Sequence, residues 1–305
     1  MKVRSLALAL PLALAALAAP ARADDAPKTY KIVMRTRWTA GAVVTLAATE
    51  HKVQNIVKVV EAKPVEAEGF GKSEESSTYE AIMKCVEATA DGHASKSIIY
   101  FKAFEHKKDA SVDTSLTGVH VEITGVEGSR TVKVVTPGKE LSAETVAWLE
   151  QRFGNGAKGD KFLALLEPKE SQAVGASWNV SGSDLVKAMD DGQVPLDATG
   201  TKAEVQLVGV EGDEVEFKVA LDVALKGLPI GPGNVLAWKD GGKAVSKVKF
   251  ARGLAAESLE FGVEKEEDFD GIADAKEFEV HMAIKGAESV RMAKGGDMPE
   301  VAKAK

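Results

Sequence analysis

The stretch Val215-Glu216-Phe217-Lys218-Val219-Ala220-Leu221-Asp222-Val223-Ala224-Leu225 places a large apolar side chain at every second position. Side chains on a β-strand alternate between the two faces of a sheet, so this spacing predicts a strand with one dry face and one wet face. The residues between the apolar positions, such as Lys218 and Asp222, belong to the wet face. Strands of this kind are typical of antiparallel sheets that are solvated on one side.

The same alternation recurs at residues 30–38, 259–263 and 278–284. Glycine-containing segments separate the strand patterns. Asp240-Gly241-Gly242 predicts a hairpin loop between the runs 235–238 and 245–250, and Ala90-Asp91-Gly92 and Glu127-Gly128 are typical of the same kind of connection. The chain is therefore expected to consist mainly of hairpin-connected strands.

Two helices interrupt the strand patterns in the middle of the chain. One is predicted near 143–153, with Ser142 as its N-cap and Gly154 after its last turn. The other is predicted near 184–191, following Ser183. The fold class predicted from these patterns is mainly β, a β-rich α+β fold with two halves of curved antiparallel sheet and two short mid-chain helices.

The N-terminus has the composition of a secretory signal. Lys2 and Arg4 precede an apolar stretch over residues 6–19, and Ala21-Arg22-Ala23 supplies small residues at the cleavage positions. These features predict a signal peptide over 1–23, cleaved near Ala23, and a periplasmic or secreted mature protein. The apolar stretch is shorter than the roughly 20 residues of a membrane-spanning helix, so no transmembrane anchor is expected.

The predicted division of the mature chain is an N-terminal β-rich half at 24–168, a C-terminal β-rich half at 169–292 and a disordered tail at 293–305. The tail is rich in Lys, Ala and Gly, and few of its side chains are able to join a core. The patterns leave open whether the two halves form one sheet or two domains.

The charge balance excludes one class of partner. The chain has 305 residues with 39 Lys and Arg against 46 Asp and Glu, a net charge of −7. Removal of residues 1–23 takes away Lys2, Arg4 and Arg22, which leaves 36 basic against 46 acidic residues and a net charge of −10. An acidic protein does not attract nucleic acid through its net field, so no nucleic-acid partner is predicted.

Acidic residues are concentrated between Glu257 and Glu279. Within this segment, residues 266–277 carry oxygen-bearing side chains at the spacing of an EF-hand loop around Gly271, although Glu266 stands where that motif has Asp and the flanks alternate with period two. Two interpretations follow, a solvated acidic hairpin loop and a non-helical calcium loop. The ligands of the calcium loop would be Asp268, Asp270, Asp274 and Glu277. No other cofactor is predicted.

Other chemical motifs are absent from the sequence. The His residues at 51, 93, 106, 120 and 281 are not at metal-ligand spacing, and no Gly-x-Ser-x-Gly elbow occurs. The glycine-rich residues 154–161 follow a predicted helix instead of a strand, which favours a connector over a phosphate loop. The single Cys85 and the four Trp residues are expected in the core.

Two further segments carry a family resemblance. Trp38-Thr39-Ala40-Gly41 precedes a long strand, and Leu166-Glu167-Pro168 is followed by Val174-Gly175-Ala176-Ser177-Trp178-Asn179-Val180. The chain thereby resembles a type of exported bacterial β-rich domain of unknown function, in which a proline and a Val-Gly-x-x-Trp turn precede the second half. The resemblance extends over most of the mature chain. It implies a β-rich fold and no activity or site residue.

These observations favour a soluble exported protein that is not an enzyme. Its expected role is binding or structural in the cell envelope, with a sheet that cradles an apolar small molecule or docks an envelope protein. One alternative is a protein-interaction module that uses a sheet edge or the acidic hairpin. Another is a hydrolase whose site residues lie far apart in the sequence. The sequence identifies neither the ligand nor the oligomeric state.

Overall fold

A computed structural model describes residues 27–34, 36–67, 70–126, 129–154, 159–189, 196–229, 235–239, 243–253, 258–275 and 277–301. The predicted signal peptide, the turn residues 127–128 and 240–242, and the last four residues of the tail lie outside the described residues.

The strands of the N-terminal part are β1 (Thr29–Tyr30), β2 (Val43–Val60), β3 (Lys63–Val65), β4 (Gly71–Ala88), β5 (Ala94–Lys108), β6 (Ser111–Asp113), β7 (His120–Thr124) and β8 (Thr131–Val134). The middle of the chain forms α1 (Ala143–Phe153), α2 (Gly159–Leu166), β9 (Gln172–Ala173), β10 (Ser177–Val180) and α3 (Gly182–Met189). The remaining strands are β11 (Leu196–Glu211), β12 (Glu214–Leu225), β13 (Gly227–Pro229), β14 (Val235–Trp238), β15 (Lys243–Gly253), β16 (Phe261–Asp274) and β17 (Glu279–Lys294).

Fifteen of these strands form one antiparallel sheet with the order β10-β11-β12-β15-β16-β17-β2-β4-β5-β7-β8, and β3, β6, β13 and β14 attach beside this path. Strands β1 and β9 pair separately. The mainly β, antiparallel fold class predicted from the sequence is confirmed. Both halves contribute to the large sheet, because β17 pairs with β2 along its whole length, from Glu279 opposite Val59 to Lys294 opposite Val44.

Strand β12 has the alternation that its sequence predicts. Val215, Phe217, Val219 and Leu221 are buried, whereas Glu216 and Lys218 are exposed. The cross-strand neighbours of these buried residues on β11 include Val205 and Leu207, which are also buried. Burial of each such side chain stabilises the fold by about 1.5–3 kcal/mol relative to leaving it exposed.

All three helices contact residues of one face of the sheet, which we call the helix face; the opposite side is the outer face. Helix α1 closes a first core over β2, β4, β5 and β7, and helices α2 and α3 close a second core over β11 and β12. The most deeply buried members of the first core are Val44, Ile99, Phe101, Leu116, Val121 and Leu149, and those of the second are Met34, Leu166, Leu185, Val205, Leu207 and Phe217.

An aromatic cluster forms the centre of the first core. Trp148 and Phe153 of α1 contact Tyr79, Phe101 and Phe104 of the sheet, with ring centroids 4.9–6.4 Å apart and the rings edge to face. Such pairs contribute about 0.5–1.5 kcal/mol each beyond the area they bury. The predicted place of Trp148 in the core is confirmed.

The predicted helix over 143–153 begins and ends as expected, and the Ser142 hydroxyl accepts a hydrogen bond from the Thr145 amide at 3.1 Å. Helix α3 begins at Gly182, two residues before the predicted start. Helix α2 is a difference from the sequence-based expectation, because the glycine-rich residues 154–161 favour a connector there. None of the helices in the described ranges is long and apolar enough to cross a membrane.

Two sequence expectations differ from the structure. The runs 235–238 and 245–250 do not form a hairpin with each other; β14 and β15 instead pair with successive parts of the same edge of β16. Residues 293–301 have defined contacts where the sequence predicts disorder, since β17 reaches Lys294 and the Gly295 amide donates to the Val43 carbonyl at 2.8 Å.

Candidate functional site

A groove of about 800 Å³ lies at the end of β2 where the sheet changes partners. Strand β4 pairs with β2 as far as Ile56 opposite Gly71, and β3 pairs with it from Lys58 opposite Val65. Val57 therefore lies at the gap between β3 and β4. We call this depression the aliphatic groove; its lining residues are Ile56, Val57, Pro64, Val65, Glu66, Ala67, Phe70 and Gly71.

The aliphatic groove is lined mostly by apolar side chains that neither core uses. Ile56, Val57 and Phe70 are half-buried, and Val65 is 42% exposed. None of these residues belongs to the first or the second core. Apolar surface of this kind on a soluble protein commonly marks a ligand or partner site, and its volume is within the range of small-molecule sites.

The sequence contains a signal for this groove at residues 53–60. Residues 53–60 read Val-Gln-Asn-Ile-Val-Lys-Val-Val, which places apolar residues on both faces of the strand. A strand with one wet face does not need this pattern. The structure leaves most of these side chains half-buried, and neither of the two cores that the described helices cover includes any of residues 53–60.

A second depression follows β15, β16, β17 and β2 on the outer face. Two adjoining parts of about 590 and 960 Å³ share His51, Lys247, Glu266 and Ala287. The walls carry both signs of charge, with Lys247 and Lys285 beside Asp268 and Asp270. Because neighbouring charges of opposite sign largely cancel in water, this surface has little preference for a charged ligand.

The predicted calcium residues are not gathered into a loop. Asp268, Asp270 and Asp274 belong to strand β16, and Glu277 lies in the turn that follows it. The loop conformation predicted for residues 266–277 is therefore wrong. An extended strand separates the side chains of Asp268 and Asp270 by about 7 Å along the chain, so they share a face without converging. These residues form a strand because β16 is paired on both edges. Glu267, for example, lies opposite Ser246 on β15 and Gly286 on β17.

Within the described ranges, no group of three or more His, Cys, Asp or Glu side chains is placed to hold a metal ion. The structure thus gives no support to calcium binding by Asp268, Asp270, Asp274 and Glu277, which stays a prediction. His281 contacts Glu279 at 3.1 Å and is half-buried beside it.

Polar residues form a row across the helix face, beside the aromatic cluster. Glu288, Glu50, Ser77, His106 and Asp113 are cross-strand neighbours on successive strands. This row contains the residue types of a hydrolase, yet the Ser77 hydroxyl lies 3.5 Å from a Glu50 oxygen and makes no described hydrogen bond to His106. Activation of a serine by a histidine requires that bond, so Ser77 and His106 do not form a nucleophile–base pair in this structure.

His106 and Ser77 are the most buried members of this row, each with 5% of its surface exposed. The His106 ring makes two described contacts. Its Nε2 atom is 3.6 Å from a Glu75 oxygen, and its ring stacks on Phe104 with centroids 6.5 Å apart. Its Nδ1 atom has no hydrogen-bond partner among the residues that the structure describes. These contacts place His106 at the border of the first core.

The charged pair Arg152 and Glu288 joins α1 to β17 at 2.5 Å, and Arg152 also lies 3.4 Å from the Tyr79 hydroxyl. Burial acts to lower the pKa of Arg152, but Tyr79 and Glu288 together raise it above the ordinary arginine value. Burial is the main cause of the raised pKa of the Tyr79 hydroxyl.

Cys85 is fully buried as predicted, and burial raises the pKa of its thiol. A buried thiol of raised pKa is a poor nucleophile.

Comparison with models of known protein families gives no match, and comparison with curated proteins gives none. Among solved structures, the chain is similar to a lipovitellin studied for its lipid–protein interactions, with 9% identity and a TM-score of 0.41. That match covers 88% of this chain, which spans 27% of the lipovitellin chain. A mutant porin of Rh. blastica matches with 12% identity and a TM-score of 0.20, over 81% of this chain and 99% of the porin. At these TM-scores the matches carry no argument about function.

Proposed function

We propose that this chain is an exported, non-enzymatic binding protein of the cell envelope that holds an apolar small molecule in the aliphatic groove. The observation that carries the proposal is the set of half-exposed apolar side chains at the end of β2, which both cores leave unused. Covering about 100 Å² of such surface with an apolar ligand contributes about 2.5 kcal/mol of gross binding free energy.

The groove is placed on a rigid support. Its floor is the end of β2, which is paired with β17 on one edge and with β3 and β4 on the other. Its wall is the short strand β3, held by a two-residue turn at Glu61 and Ala62. A preformed site loses little conformational freedom on binding, which favours affinity.

The N-terminal sequence also supports the proposal. Lys2 and Arg4 before an apolar stretch, with small residues at Ala21 and Ala23, support export. The ligand class follows from the lining alone: an aliphatic or aromatic molecule with few charged groups.

The proposal is tested by native mass spectrometry. The protein is recovered from the periplasm or medium of the cells that produce it. The expected result is the mass of a polypeptide that begins at Asp24, together with the mass of a bound apolar small molecule that is lost on denaturation. Titration with the apolar fluorophore N-phenyl-1-naphthylamine then measures binding by the purified protein. Saturable fluorescence enhancement is expected.

Val65→Asp identifies the site. A carboxylate in the apolar wall must be desolvated when the ligand binds, so affinity for the fluorophore is expected to fall at least tenfold, equivalent to about 1.4 kcal/mol. The matched control is Val112→Asp, because Val112 also lies in a three-residue edge strand and is 58% exposed. Equal affinities of the two variants, or no saturable binding by the unmodified chain, would contradict the proposal.

A further inference from the structure

The chain after β17 crosses the outer face of the first half. Gly295 and Gly296 have φ values of 109° and 122°, which side-chain-bearing residues rarely adopt, and they turn the chain away from the sheet ladder. The Cβ of a residue built at position 296 would lie 3.1 Å from Thr45 Cγ2 and 3.4 Å from Ile82 Cγ2. The backbone therefore passes directly over β2 and β4. We call residues 295–301 the strap.

The strap is attached to the sheet by a buried histidine. The Nε2 atom of His120 on β7 lies 3.0 Å from the Pro299 carbonyl oxygen. A carbonyl only accepts, so His120 donates this hydrogen bond through Nε2. The His120 ring also packs on Tyr100 with centroids 4.7 Å apart.

The strap lies over the sheet without extending its ladder. It forms neither a strand nor a helix, and its Gly295 amide donates to the Val43 carbonyl at 2.8 Å. Met298 and Val301 are half-buried, whereas Asp297, Pro299 and Glu300 are exposed. The two half-buried apolar side chains of the strap are therefore three residues apart, with Pro299 between them.

Two residues beneath the strap are deeply buried although they belong to the outer face. Ile82 is 1% exposed and His120 is 5% exposed, whereas Lys84 and Glu122, two residues further along the same strands, are more accessible. The deep burial of Ile82 and His120 requires a cover. The strap crosses Ile82 and binds His120, and so supplies it.

We infer that the outer face of β4, β5 and β7 is a peptide-docking groove whose resident occupant is the chain's own C-terminal strap. The groove takes an extended peptide with two apolar side chains three residues apart and, between them, a carbonyl that accepts from His120. An occupant joined to the chain has a high effective concentration, on the order of millimolar, so a free peptide binds only when the strap is displaced. This inference is independent of the aliphatic groove.

A fluorescently labelled peptide of residues 294–305, titrated against the full chain, tests the inference by fluorescence anisotropy. Gly296→Val is designed to loosen the strap, because its Cβ crowds Thr45 at 3.1 Å and the residue cannot adopt a φ of 122° without strain. We expect Gly296→Val to bind the peptide at least tenfold more tightly than the unmodified chain. A peptide of the same composition in scrambled order is expected not to bind.

The matched control is Gly175→Val, which strains another positive-φ glycine, at φ 89°, where an added side chain has nothing within 4 Å. Its peptide affinity is expected to equal that of the unmodified chain. Adding His120→Phe to Gly296→Val keeps a ring against Tyr100 but removes the donor. This change is expected to weaken peptide binding about three- to tenfold, the equivalent of one hydrogen bond.

Met298→Asp provides a second, milder way to release the strap, since position 298 faces the sheet but lies outside every strand. Circular dichroism verifies that each variant is folded before titration. The inference is wrong if both folded variants, Gly296→Val and Met298→Asp, bind the labelled peptide no more tightly than Gly175→Val does.

Discussion

Glu61 and Ala62 adopt φ values of 48° and 60° in the turn between β2 and β3. A two-residue hairpin loop with positive φ at both positions is the turn whose twist matches the flanking strands, and Asn-Gly is its preferred sequence. Ala62 therefore holds a conformation that costs a residue with a Cβ about 1–2 kcal/mol. The strain lies beside Val65, in the wall of the aliphatic groove.

Ala62→Gly is expected to raise the free energy of unfolding by about 0.5–1 kcal/mol. Glycine removes the left-handed strain, and the greater freedom of the unfolded chain offsets part of the gain. Urea denaturation followed by tryptophan fluorescence measures the change. The control is Ala110→Gly in the turn between β5 and β6, where the alanine does not have a positive φ. Equal effects at the two positions would show that strain at Ala62 is not the cause.

Helix α1 is fixed at its N-terminus by a carboxylate from a neighbouring hairpin. Asp113 accepts hydrogen bonds from the Thr145 hydroxyl and from the Ser115 amide, the latter at 2.7 Å. Burial acts to raise the pKa of Asp113, but these hydrogen bonds together have the larger, opposite effect. The pKa of Asp113 is therefore below its ordinary value. A negative charge beside a helix N-terminus is also favoured by the helix dipole.

Asp113→Asn is expected to lower the free energy of unfolding by about 1 kcal/mol at pH 7. A carboxyl whose pKa is lowered by folding stabilises the protein above its unfolded pKa of about 4 and loses that effect as the pH falls through its folded pKa. The difference between the two proteins is therefore expected to shrink below about pH 4. Thermal denaturation between pH 3 and pH 7 measures it. Asp213→Asn, at an exposed turn, is expected to change the stability little at either pH.

The elements differ in how far their sequence determines them. The Ser142 cap and the alternation of β12 depend on neighbours along the chain, so both are predictable. Glu266 to Asp274 carry a loop-like density of charge, yet they form a strand because β15 and β17 pair with them on both edges. Local composition does not contain that information. The strap is a similar case, since its Pro299 carbonyl binds His120, which lies 179 residues earlier in the chain.

At the scale of the whole molecule, the pairing of β17 with β2 joins the two halves that the sequence separates. No short-range pattern specifies this register, because its two strands lie at opposite ends of the chain. The aliphatic groove also depends on long-range pairing, since its gap exists only where β2 changes from β4 to β3. The apolar residues at 53–60 are visible in the sequence, but their exclusion from both described cores is not.

The shared sheet predicts that the two halves unfold together. Arg152 connects them, because it lies on α1 of the first half and binds Glu288 on β17 of the second. Glu288 on β17 lies directly opposite Glu50 on β2, and Arg152 of α1 compensates this like-charge pair by binding Glu288. Arg152→Met leaves two partly buried carboxylates facing each other. We expect it to lower the free energy of unfolding by about 2 kcal/mol, less than for a fully buried pair because some solvent screening remains.

Adding Glu288→Gln to Arg152→Met is expected to recover about half of that loss, because the repulsion from Glu50 disappears. Lys249→Met is the control, since Lys249 and Glu264 form a largely exposed pair at 3.4 Å whose loss is expected to cost below about 1 kcal/mol.

Urea unfolding is followed both by tryptophan fluorescence, which reports Trp148 in the first core and Trp178 beside the second, and by circular dichroism. We expect the fluorescence and circular-dichroism transitions to coincide as one transition in every variant. The reason is that the strands from β10 to β8 form one continuous sheet, so neither half can unfold without breaking the pairing with the other. Two resolved transitions in the unmodified chain would mean that the β17–β2 ladder does not couple the halves.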